Sequence, residues 1–322
     1  MAVSRCQRIV LHVYGVMHRR YANSVCDMAS PTTSIVIRAL NEAEHLDALF
    51  DSIERQTQQP DEVVLVDSGS TDRTVAIAES RGAQIVHIPP GDFTFGRALN
   101  WGCEAAKGDV LIFVSAHVYA LDDTWLVELV GPFSDGLVGL SYGGQTGDHR
   151  SNFAEIQLLK RWFPDDGGTT DQKNPFCNNA NCAVRRSLWE STPYDESLSG
   201  LEDMAFARNI RADGHRIAYV PSARIAHVHE EVARQTFNRY RREAIAYRNI
   251  FGAQKMSMSS ATGLALASIT SDVRAALRAR RFGAIPSAAS FRVAQFAGAW
   301  AGHRDDPSES KQIVRRMYYP RG

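Results

Sequence analysis

Residues 62–72 read EVVLVDSGSTD, an uninterrupted apolar run followed at once by a polar turn. A run of this kind is typical of a strand buried on both faces, as in parallel sheets that helices cover on both sides. The Gly and Ser residues after it indicate a tight turn, and Thr71 or Asp72 can cap a helix over residues 75–81. The stretch therefore predicts a strand–turn–helix unit of an α/β protein.

The same order of elements occurs on both sides of this unit. We predict strands at residues 33–37, 84–88 and 110–115, and helices at residues 41–56 and 97–107. In the first helix the apolar residues Leu46, Leu49, Phe50 and Ile53 follow each other at spacings of three, one and three, as on one helix face. Strands that alternate with helices imply βαβ units, so the expected fold is a doubly wound, mainly parallel sheet.

After residue 130 the alternation is looser. Strands are expected at residues 137–143, 183–184 and 216–220, helices at residues 153–163, 201–212 and 232–251, and a polar loop at residues 165–175. From residue 260 the chain is rich in Ala and is expected to be helical, with a break at Pro286. We predict a poorly ordered extension over residues 1–30, an α/β domain over residues 31–235, and a basic helical region over residues 236–322.

Composition excludes several protein classes. Of the 322 residues, 44% are apolar and 22% are charged, which excludes a mainly disordered or collagen-like chain. The longest uncharged stretch, residues 256–271, is too short for a membrane span. The five cysteines are odd in number and form no CxxC pair, so neither a disulfide framework nor a zinc site is expected. The same cysteine content leads us to expect a cytoplasmic location.

The net charge of zero hides an asymmetry along the chain. Residues 1–204 contain 16 Lys and Arg against 28 Asp and Glu, whereas residues 205–322 contain 20 against 8. Near the C-terminus, arginines stand beside apolar residues at helical spacing, with Arg274, Arg278, Arg280 and Arg281 close to Leu264, Leu266, Ile269, Val273 and Leu277. Such a segment suits the inner face of an anionic membrane, to which the protein would bind peripherally. The alternative is a helix packed on the domain with a solvated basic face.

Polar residues follow three of the predicted strands. They are Arg38 and Glu42 after the first strand, Asp67 and Ser68 after the second, and Ser115 and His117 after the fourth. Ligands of open α/β sheets bind outside the carboxyl ends of the strands, so we expect the binding site there. The chain contains neither GxGxxG after the first strand nor GxxxxGK[ST], which argues against a dinucleotide enzyme and a P-loop NTPase.

Taken together, TSIVIRALNEAEHLDALFDSI (33–53), DEVVLVDSGSTDRTVAIA (61–78) and GDVLIFVSAH (108–117) resemble the family 2 glycosyltransferases of the GT-A fold. The resemblance extends over residues 33–229, and VDSGSTDRT is its most specific part. GDFTFGRALNWGCEAAKGD (91–109) is similar to bacterial polysaccharide members such as rhamnosyltransferases. The resemblance implies an inverting transfer from a nucleotide-diphosphate sugar to a saccharide or lipid-linked acceptor in cell-surface polysaccharide synthesis, without a nucleic-acid partner.

The resemblance also assigns the nucleotide site. It implies that Asp67 binds the base, that Arg38 and Glu42 line the base and ribose, and that Arg97 pairs with the diphosphate. It places Ser68, Asp72, Asn100 and Ser115 at the same site, with Asn100 on ribose or sugar. Two simpler interpretations stay open, since Asp72 can serve as a helix cap and Arg97 can face solvent at a helix start.

The expected metal motif of the family is altered in this chain. Most members end the fourth strand with Asp-x-Asp, which binds Mn²⁺ or Mg²⁺, whereas here Ser115 and His117 take those positions. Imidazole suits Mn²⁺ better than Mg²⁺, and His227 and His229 are further candidate ligands. Either the metal is held by His117 and a second histidine, or the enzyme needs no metal. Each histidine alone is also compatible with a structural role.

The predicted catalytic pair is Glu202 and Asp203, which opens a helix and resembles the family's ED motif. An inverting transfer needs a carboxylate that takes the proton of the acceptor hydroxyl, and we assign this role to Asp203. Glu202 would hold the acceptor or orient the loop. The alternative is a pair of acids stabilised by the helix dipole.

Two further regions are assigned to binding. The amide-rich run that contains Asn178, Asn179 and Asn181 would read acceptor hydroxyls, or it is a plain loop, since Asn also favours turns. A basic residue from residues 237–242 would stabilise the leaving group if no metal does. The rival functions are a retaining GT-A transferase, a nucleotidyltransferase on a related fold, and a binding protein without catalysis.

Overall fold

The computed structural model describes residues 31–89, 91–252 and 254–305, and a single mixed sheet of eight strands lies at its centre. The strands are β1 (Thr33–Ala39), β2 (Glu62–Asp67), β3 (Gln84–His87), β4 (Val110–Ser115), β5 (Val118–Ala120), β6 (Val138–Thr146), β7 (Asn181–Arg185) and β8 (Arg216–His227). Their order is β3-β2-β1-β4-β7-β6-β8-β5. The first four strands pair in parallel and β7 is antiparallel to both neighbours, so the predicted mainly parallel α/β sheet is confirmed.

Ten α-helices are present in the described part of the chain. They are α1 (Ala43–Glu54), α2 (Thr74–Ser80), α3 (Phe95–Ala105), α4 (Trp125–Val130), α5 (Phe153–Trp162), α6 (Arg186–Ser191), α7 (Glu202–Ala212), α8 (Ala233–Phe251), α9 (Met258–Arg278) and α10 (Ile285–Gly302). The sequence did not predict β5, α4 or α6, which are too short to show a period. The structure moves the predicted break at Pro286 to residues 279–284, because Pro286 lies in the first turn of α10, where its missing N–H is not needed.

Two apolar cores cover the two faces of the sheet. Ile35 and Ile37 of β1 point into a core shared with α1, α2 and α4, whereas Val36 between them points into a core shared with α3, α6 and α7. The same alternation holds for Leu65 and Val66 of β2. Both faces of each central strand are thus buried, which explains why the sequence contains uninterrupted apolar runs.

The C-terminal helices pack directly on the α/β part of the chain. Arg292 of α10 is fully buried, forms an ion pair of 2.7 Å with the equally buried Asp272 of α9, and donates to the carbonyl of Ala154 in α5 at 3.0 Å. This contact ties three helices together, and the described residues from Thr33 onward belong to one compact unit. The division at residue 235 stays a prediction, and the extension over residues 1–30 lies outside the described residues. None of the described helices is both long and apolar enough to span a bilayer.

Helices α8 and α10 approach each other closely through glycine. A Cβ atom on Gly298 would collide with the carbonyl group of Phe237 in α8, and one on Gly302 would collide with that of Arg241. By contrast, Gly263 of α9 has open space where its Cβ would lie. The absence of a side chain at Gly298 and Gly302 therefore sets the distance between α8 and α10.

Replacing Gly298 with Ala should destabilise the protein by ~1–3 kcal/mol, because the added methyl group forces α8 and α10 apart. The matched change Gly263→Ala should instead be neutral or stabilise the protein by about 0.5–1 kcal/mol, since Ala favours the helix over Gly. Urea unfolding followed by circular dichroism measures both. Equal stability of the two variants would contradict the close contact.

Candidate functional site

The carboxyl ends of β1, β2 and β4 meet at one edge of the sheet. Ala39 stands opposite Asp67 on one side of β1, and Arg38 stands opposite Ser115 on the other. The three strand ends that the sequence singled out are therefore neighbours. Their arrangement forms the floor of the candidate site.

The turn after β2 is held by its own aspartate. The buried carboxylate of Asp67 accepts from the backbone N–H of Gly69 at 3.1 Å and of Ser70 at 3.0 Å. Gly69 has φ of 100°, a conformation that favours glycine. The hydroxyl of Ser68 donates to the carbonyl of Ala39 at 3.1 Å and so ties this turn to β1. Asp67 and Ser68 thus shape the loop in which a base would bind, and the base contact itself stays a prediction.

Asp72 joins the starts of two helices. Its carboxylate accepts from the backbone N–H of Ala43 in α1 at 3.1 Å and from that of Thr74 in α2 at 2.9 Å. Burial acts to raise the pKa of Asp72, but hydrogen bonds from Thr74 and Ala43 outweigh it, and the pKa lies below its usual value. These contacts favour the helix-supporting role of Asp72 over a direct contact with a nucleotide.

Arg97 and Asn100 connect α3 to the loop before α7. The Arg97 guanidinium donates to the Glu196 carboxylate at 2.8 Å. Asn100 is buried, donates to Glu196 and to the Tyr194 carbonyl, and accepts from the Trp189 indole and the Tyr194 N–H. Because all its hydrogen-bonding capacity is used inside the protein, the expected sugar contact of Asn100 is replaced by a structural role. The diphosphate role of Arg97 stays a prediction.

The three predicted acceptor asparagines have different surroundings. Asn181 is fully buried, accepts from the Trp125 indole at 2.8 Å, and donates to the carbonyls of Gly144 and Ala223. It therefore belongs to the core, and its assignment as an acceptor residue is corrected. Asn178 and Asn179 lie instead at the two centres described next, and their acceptor role stays a prediction.

The first centre is the acid pair at the start of α7. Leu201, just before this helix, has φ of 55°, an uncommon backbone conformation for a leucine that is often found at functional sites. Glu202 and Asp203 follow and are both buried. The Glu202 carboxylate accepts from the Arg38 guanidinium at 2.9 Å. The Asp203 carboxylate instead accepts from two backbone N–H groups, that of Asn179 at 3.2 Å and that of Met204 at 2.7 Å.

The different partners separate the acidities of the two carboxyl groups. Burial, and after it the negative charge of Glu202, raises the pKa of Asp203 to about 7, against the opposing effect of its two backbone hydrogen bonds. A carboxylate with this pKa can accept and release a proton near neutral pH. This property is what a general base requires.

An aromatic ring with two guanidinium groups borders the acid pair. The guanidinium carbons of Arg38 and Arg242 lie 5.1 Å and 4.7 Å from the centre of the Phe95 ring. Arg242 comes from α8, so this helix contributes positive charge to the site. The sequence showed only a basic run over residues 237–242, and nothing in its spacing distinguishes Arg242 from Arg241, which pairs with Asp305.

The second centre is a cluster of three histidines. His117 follows β4, and His227 and His229 lie at and beyond the end of β8. One ring nitrogen from each of the three lies within 4.8 Å of the others. The ring centres of His227 and His229 are 4.1 Å apart, and those of His117 and His227 are 5.1 Å apart. The structure thus brings together the three residues that the sequence proposed as ligands.

Each histidine has its Nδ1 atom engaged by an acceptor. The pairs are His117 with Glu42 at 3.0 Å, His227 with Gln145 at 2.9 Å, and His229 with Glu155 at 2.8 Å. For Gln145 the orientation follows from its neighbours. The backbone N–H of Ala180 donates to Asn178 Oδ1, so Gln145 must present its NH₂ group to that oxygen and its carbonyl oxygen to His227. His227 Nδ1 is therefore a donor, which leaves its Nε2 as the free lone pair.

The Nε2 atom of His227 is buried and has no hydrogen-bond partner among the described residues. Burial lowers the pKa of His227 and of His229, so both rings are neutral at physiological pH. Neutral imidazoles whose Nδ1 atoms contact an acceptor, with one nitrogen of each ring within 4.8 Å of the others, are an arrangement that metal sites use. The donor set therefore fits a divalent transition metal and suits Mg²⁺ poorly.

Glu155 connects the cluster to the C-terminal helices. It accepts from His229 and also from the guanidinium of Arg239 in α8 at 2.8 Å. Burial acts to raise the pKa of Glu155, but the hydrogen bonds from His229 and Arg239, together with the positive charge of Arg239, bring it to about 2. Sequence reasoning missed Glu155 and included Arg239 only in the basic run over residues 237–242, because both lie on helices whose packing the spacing does not show.

Comparisons with known proteins agree with this geometry. The family model described as "Glycosyl transferase family 2" matches residues 34–192. The O-antigen chain rhamnosyltransferase WbaN of Salmonella anatum is 30% identical over 59% of this chain and 64% of its own length, and RfbN of Salmonella typhimurium is 28% identical over 64% and 69%. The chain thus spans about two thirds of these relatives. A mannosyltransferase of Pyrobaculum calidifontis, solved with GDP-Man and Mn²⁺, covers 96% of this chain and 95% of its own at 17% identity and a TM-score of 0.56, which shows the shared fold.

Metal binding to the three-histidine cluster can be measured without a substrate. Mn²⁺ or Zn²⁺ should raise the unfolding temperature of chelator-treated protein, while Mg²⁺ at the same concentration should not, since a ligand of the native state stabilises it. His227→Ala should abolish the shift, and Glu155→Gln should weaken metal affinity roughly 10- to 100-fold, because a neutral amide replaces the carboxylate that makes the His229 ring a stronger donor.

The control is His149→Ala, which removes an exposed imidazole outside the cluster and should leave the metal response unchanged. A response that survives in His227→Ala would show that the metal binds elsewhere.

Proposed function

The chain belongs to the family 2 glycosyl transferases, and we propose that it transfers a sugar from a nucleotide-diphosphate donor to a hydroxyl group of a saccharide or lipid-linked acceptor in cell-surface polysaccharide synthesis. The observation that carries this proposal is the contact between the two centres. Asn178 bonds to Gln145, which holds His227, and the next residue, Asn179, bonds to Asp203. A candidate base and a candidate metal site are thus linked by consecutive residues.

The donor is proposed to bind over the ends of β1, β2 and β4. The loops after β1 and β2 are fixed to each other, since Asn41 accepts from the Thr71 N–H at 2.8 Å and Asp72 accepts from Ala43. This rigid edge suits a base and ribose, because loops that are already ordered lose little conformational freedom when a ligand binds. The diphosphate would then lie at Ser115 and His117, next to the histidine cluster.

Charge on the leaving diphosphate needs stabilisation. A divalent ion held by His117, His227 and His229 would supply positive charge to the phosphate oxygens. The guanidinium groups of Arg38 and Arg242 border the acid pair, and fixed positive charge in a partly buried site is effective against a developing anion. We therefore assign leaving-group stabilisation to these residues.

Asp203 is proposed to act as the base of an inverting transfer. Its carboxylate takes the proton of the acceptor hydroxyl while the oxygen attacks the anomeric carbon and the bond from that carbon to the diphosphate oxygen breaks. Glu202 is held by Arg38 and therefore stays an orienting residue. The direct displacement inverts the configuration at the anomeric carbon, which distinguishes it from a retaining transfer when the product is examined by NMR.

Replacing Asp203 with Asn should lower the rate of sugar transfer, or of donor hydrolysis, about 100- to 10,000-fold, because the amide cannot accept the proton. Binding of the donor, found by a thermal-shift screen of UDP-, dTDP- and GDP-sugars, should be retained. The control Asp213→Asn changes an exposed aspartate that follows the other end of α7 and should keep full activity. A fully active Asp203→Asn variant would exclude this residue as the base.

The pH dependence should report the ionisation of Asp203. The rate of the wild-type enzyme should rise as pH increases through about 7 and then level off, since only the ionised carboxylate accepts a proton. Glu202→Gln removes a negative charge that raises the pKa of Asp203, and it should move this rise to lower pH. Profiles of kcat/KM against pH for both proteins measure the shift, and an unchanged midpoint would show that another group controls the rate.

A further inference from the structure

The outer surface of α9 and α10 is apolar over much of its length. Helix α9 has 21 residues and buries only Ala261, Asp272 and Ala276. Leu266 of α9 is 60% exposed and Val293 of α10 is 57% exposed, although both are apolar. They line a groove of about 310 Å³ between the two helices, which also contains Met258 and Trp300. Exposed apolar surface of this kind marks an interaction site.

The exposed charge on the last turns of α9 and on the turn that joins it to α10 has one sign. Between residues 256 and 304 the only acidic residue is Asp272, which is buried against Arg292. Helices α9 and α10 form a hairpin, and the exposed charged residues near its turn are four arginines, Arg274, Arg278, Arg280 and Arg281. The surface therefore combines exposed leucine and valine side chains with uncompensated positive charge.

This combination restricts what can cover the surface. A second copy of the chain, packed face to face, would bring the arginines of the two copies together without an acidic partner. A polar anionic ligand would satisfy the arginines but leave the apolar groove in water. A bilayer with anionic lipids offers phosphates for the arginines and hydrocarbon for the groove within a few ångströms of each other.

We propose that the α9–α10 hairpin docks on the surface of a membrane that contains anionic lipids. The apolar side chains enter the boundary between headgroups and acyl chains, and the arginines at the end of the hairpin bind headgroup phosphates. Since no described helix could span a bilayer, the hairpin lies along the surface. Its link to a lipid-linked acceptor rests on the proposed function, whereas docking itself does not.

The docking would also orient the site. Helix α10 packs on α8 through Gly298 and Gly302, and α8 carries Arg239 and Arg242. The hairpin that meets the membrane is therefore joined by one rigid contact to the helix that borders the acid pair and the histidine cluster. An acceptor held in the same membrane would reach a site of fixed orientation.

Vesicle flotation of the full chain tests the proposal without any transfer reaction. The protein should float with vesicles of phosphatidylcholine and phosphatidylglycerol, and less with phosphatidylcholine alone or at high salt. The double variant Arg274→Gln/Arg278→Gln should reduce partitioning roughly 10- to 30-fold, as expected for two arginines near an anionic surface. Leu266→Gln/Val293→Gln should reduce it to a similar degree.

Two control variants carry the same chemical changes elsewhere. Arg55→Gln/Lys107→Gln removes two exposed positive charges outside the hairpin, and Val127→Gln/Leu137→Gln changes two exposed apolar residues near α4 and β6. Both should float like the wild type. All variants change exposed residues, so unaltered circular dichroism and unfolding temperature are expected.

Three results would overturn the proposal. They are absence of flotation, equal losses in control and hairpin variants, and a dimer in light scattering that Leu266→Gln/Val293→Gln dissociates without changing flotation. The last result would assign the groove to a second copy. Because donor hydrolysis is measured separately in solution, failure of docking leaves the transferase assignment standing, and failure of the transferase assignment leaves docking measurable.

Discussion

The burial of two carboxyl groups side by side at the start of α7 is the constraint on which the site depends. Two buried negative charges repel each other, and each loses hydration. The guanidinium of Arg38 compensates the charge of Glu202 directly, whereas Asp203 accepts from the backbone N–H groups of Asn179 and Met204. The protein thus stabilises the charge of Glu202, whereas the pKa of Asp203 lies at about 7, so that this carboxyl group gains and loses its proton near neutral pH. This difference in partners explains why we propose Glu202 as the orienting acid and Asp203 as the acid that accepts the proton.

A similar arrangement supports the histidine cluster. Glu42, Gln145 and Glu155 each contact the Nδ1 atom of one of three largely buried imidazoles, and these contacts fix the orientation of the rings. Glu155 is itself held by Arg239 of α8. The C-terminal helices are therefore part of the site, because removing α8 would take away the partner of Glu155 as well as Arg242.

The sequence predicts the parts of the site that depend on local pattern. The ends of β1, β2 and β4 follow from apolar runs, whereas the acid pair at Glu202 and the three histidines follow from the resemblance to the motifs of the family. The roles of the amides do not follow from either. Asn178 and Asn181 occur in one polar run, yet one bonds to the histidine support and the other is fully buried in the core. Packing between elements that are distant in sequence decides which side chains are buried. The pairing of Glu155 with Arg239 depends on such packing too.

If Ser115 and His117 take the positions of the two aspartates of the family's motif, as the resemblance implies, the negative charge around the proposed metal lies in different places. Two carboxylates that bind a divalent ion cancel its charge, whereas three neutral imidazoles leave it intact. In this chain Glu42 and Glu155 lie behind the rings of His117 and His229, so negative charge is present one hydrogen bond further away. There it makes the imidazoles better donors without occupying the metal's own coordination positions. A divalent ion bound there would keep more positive charge available for a diphosphate, and the donor set favours an ion that accepts nitrogen ligands.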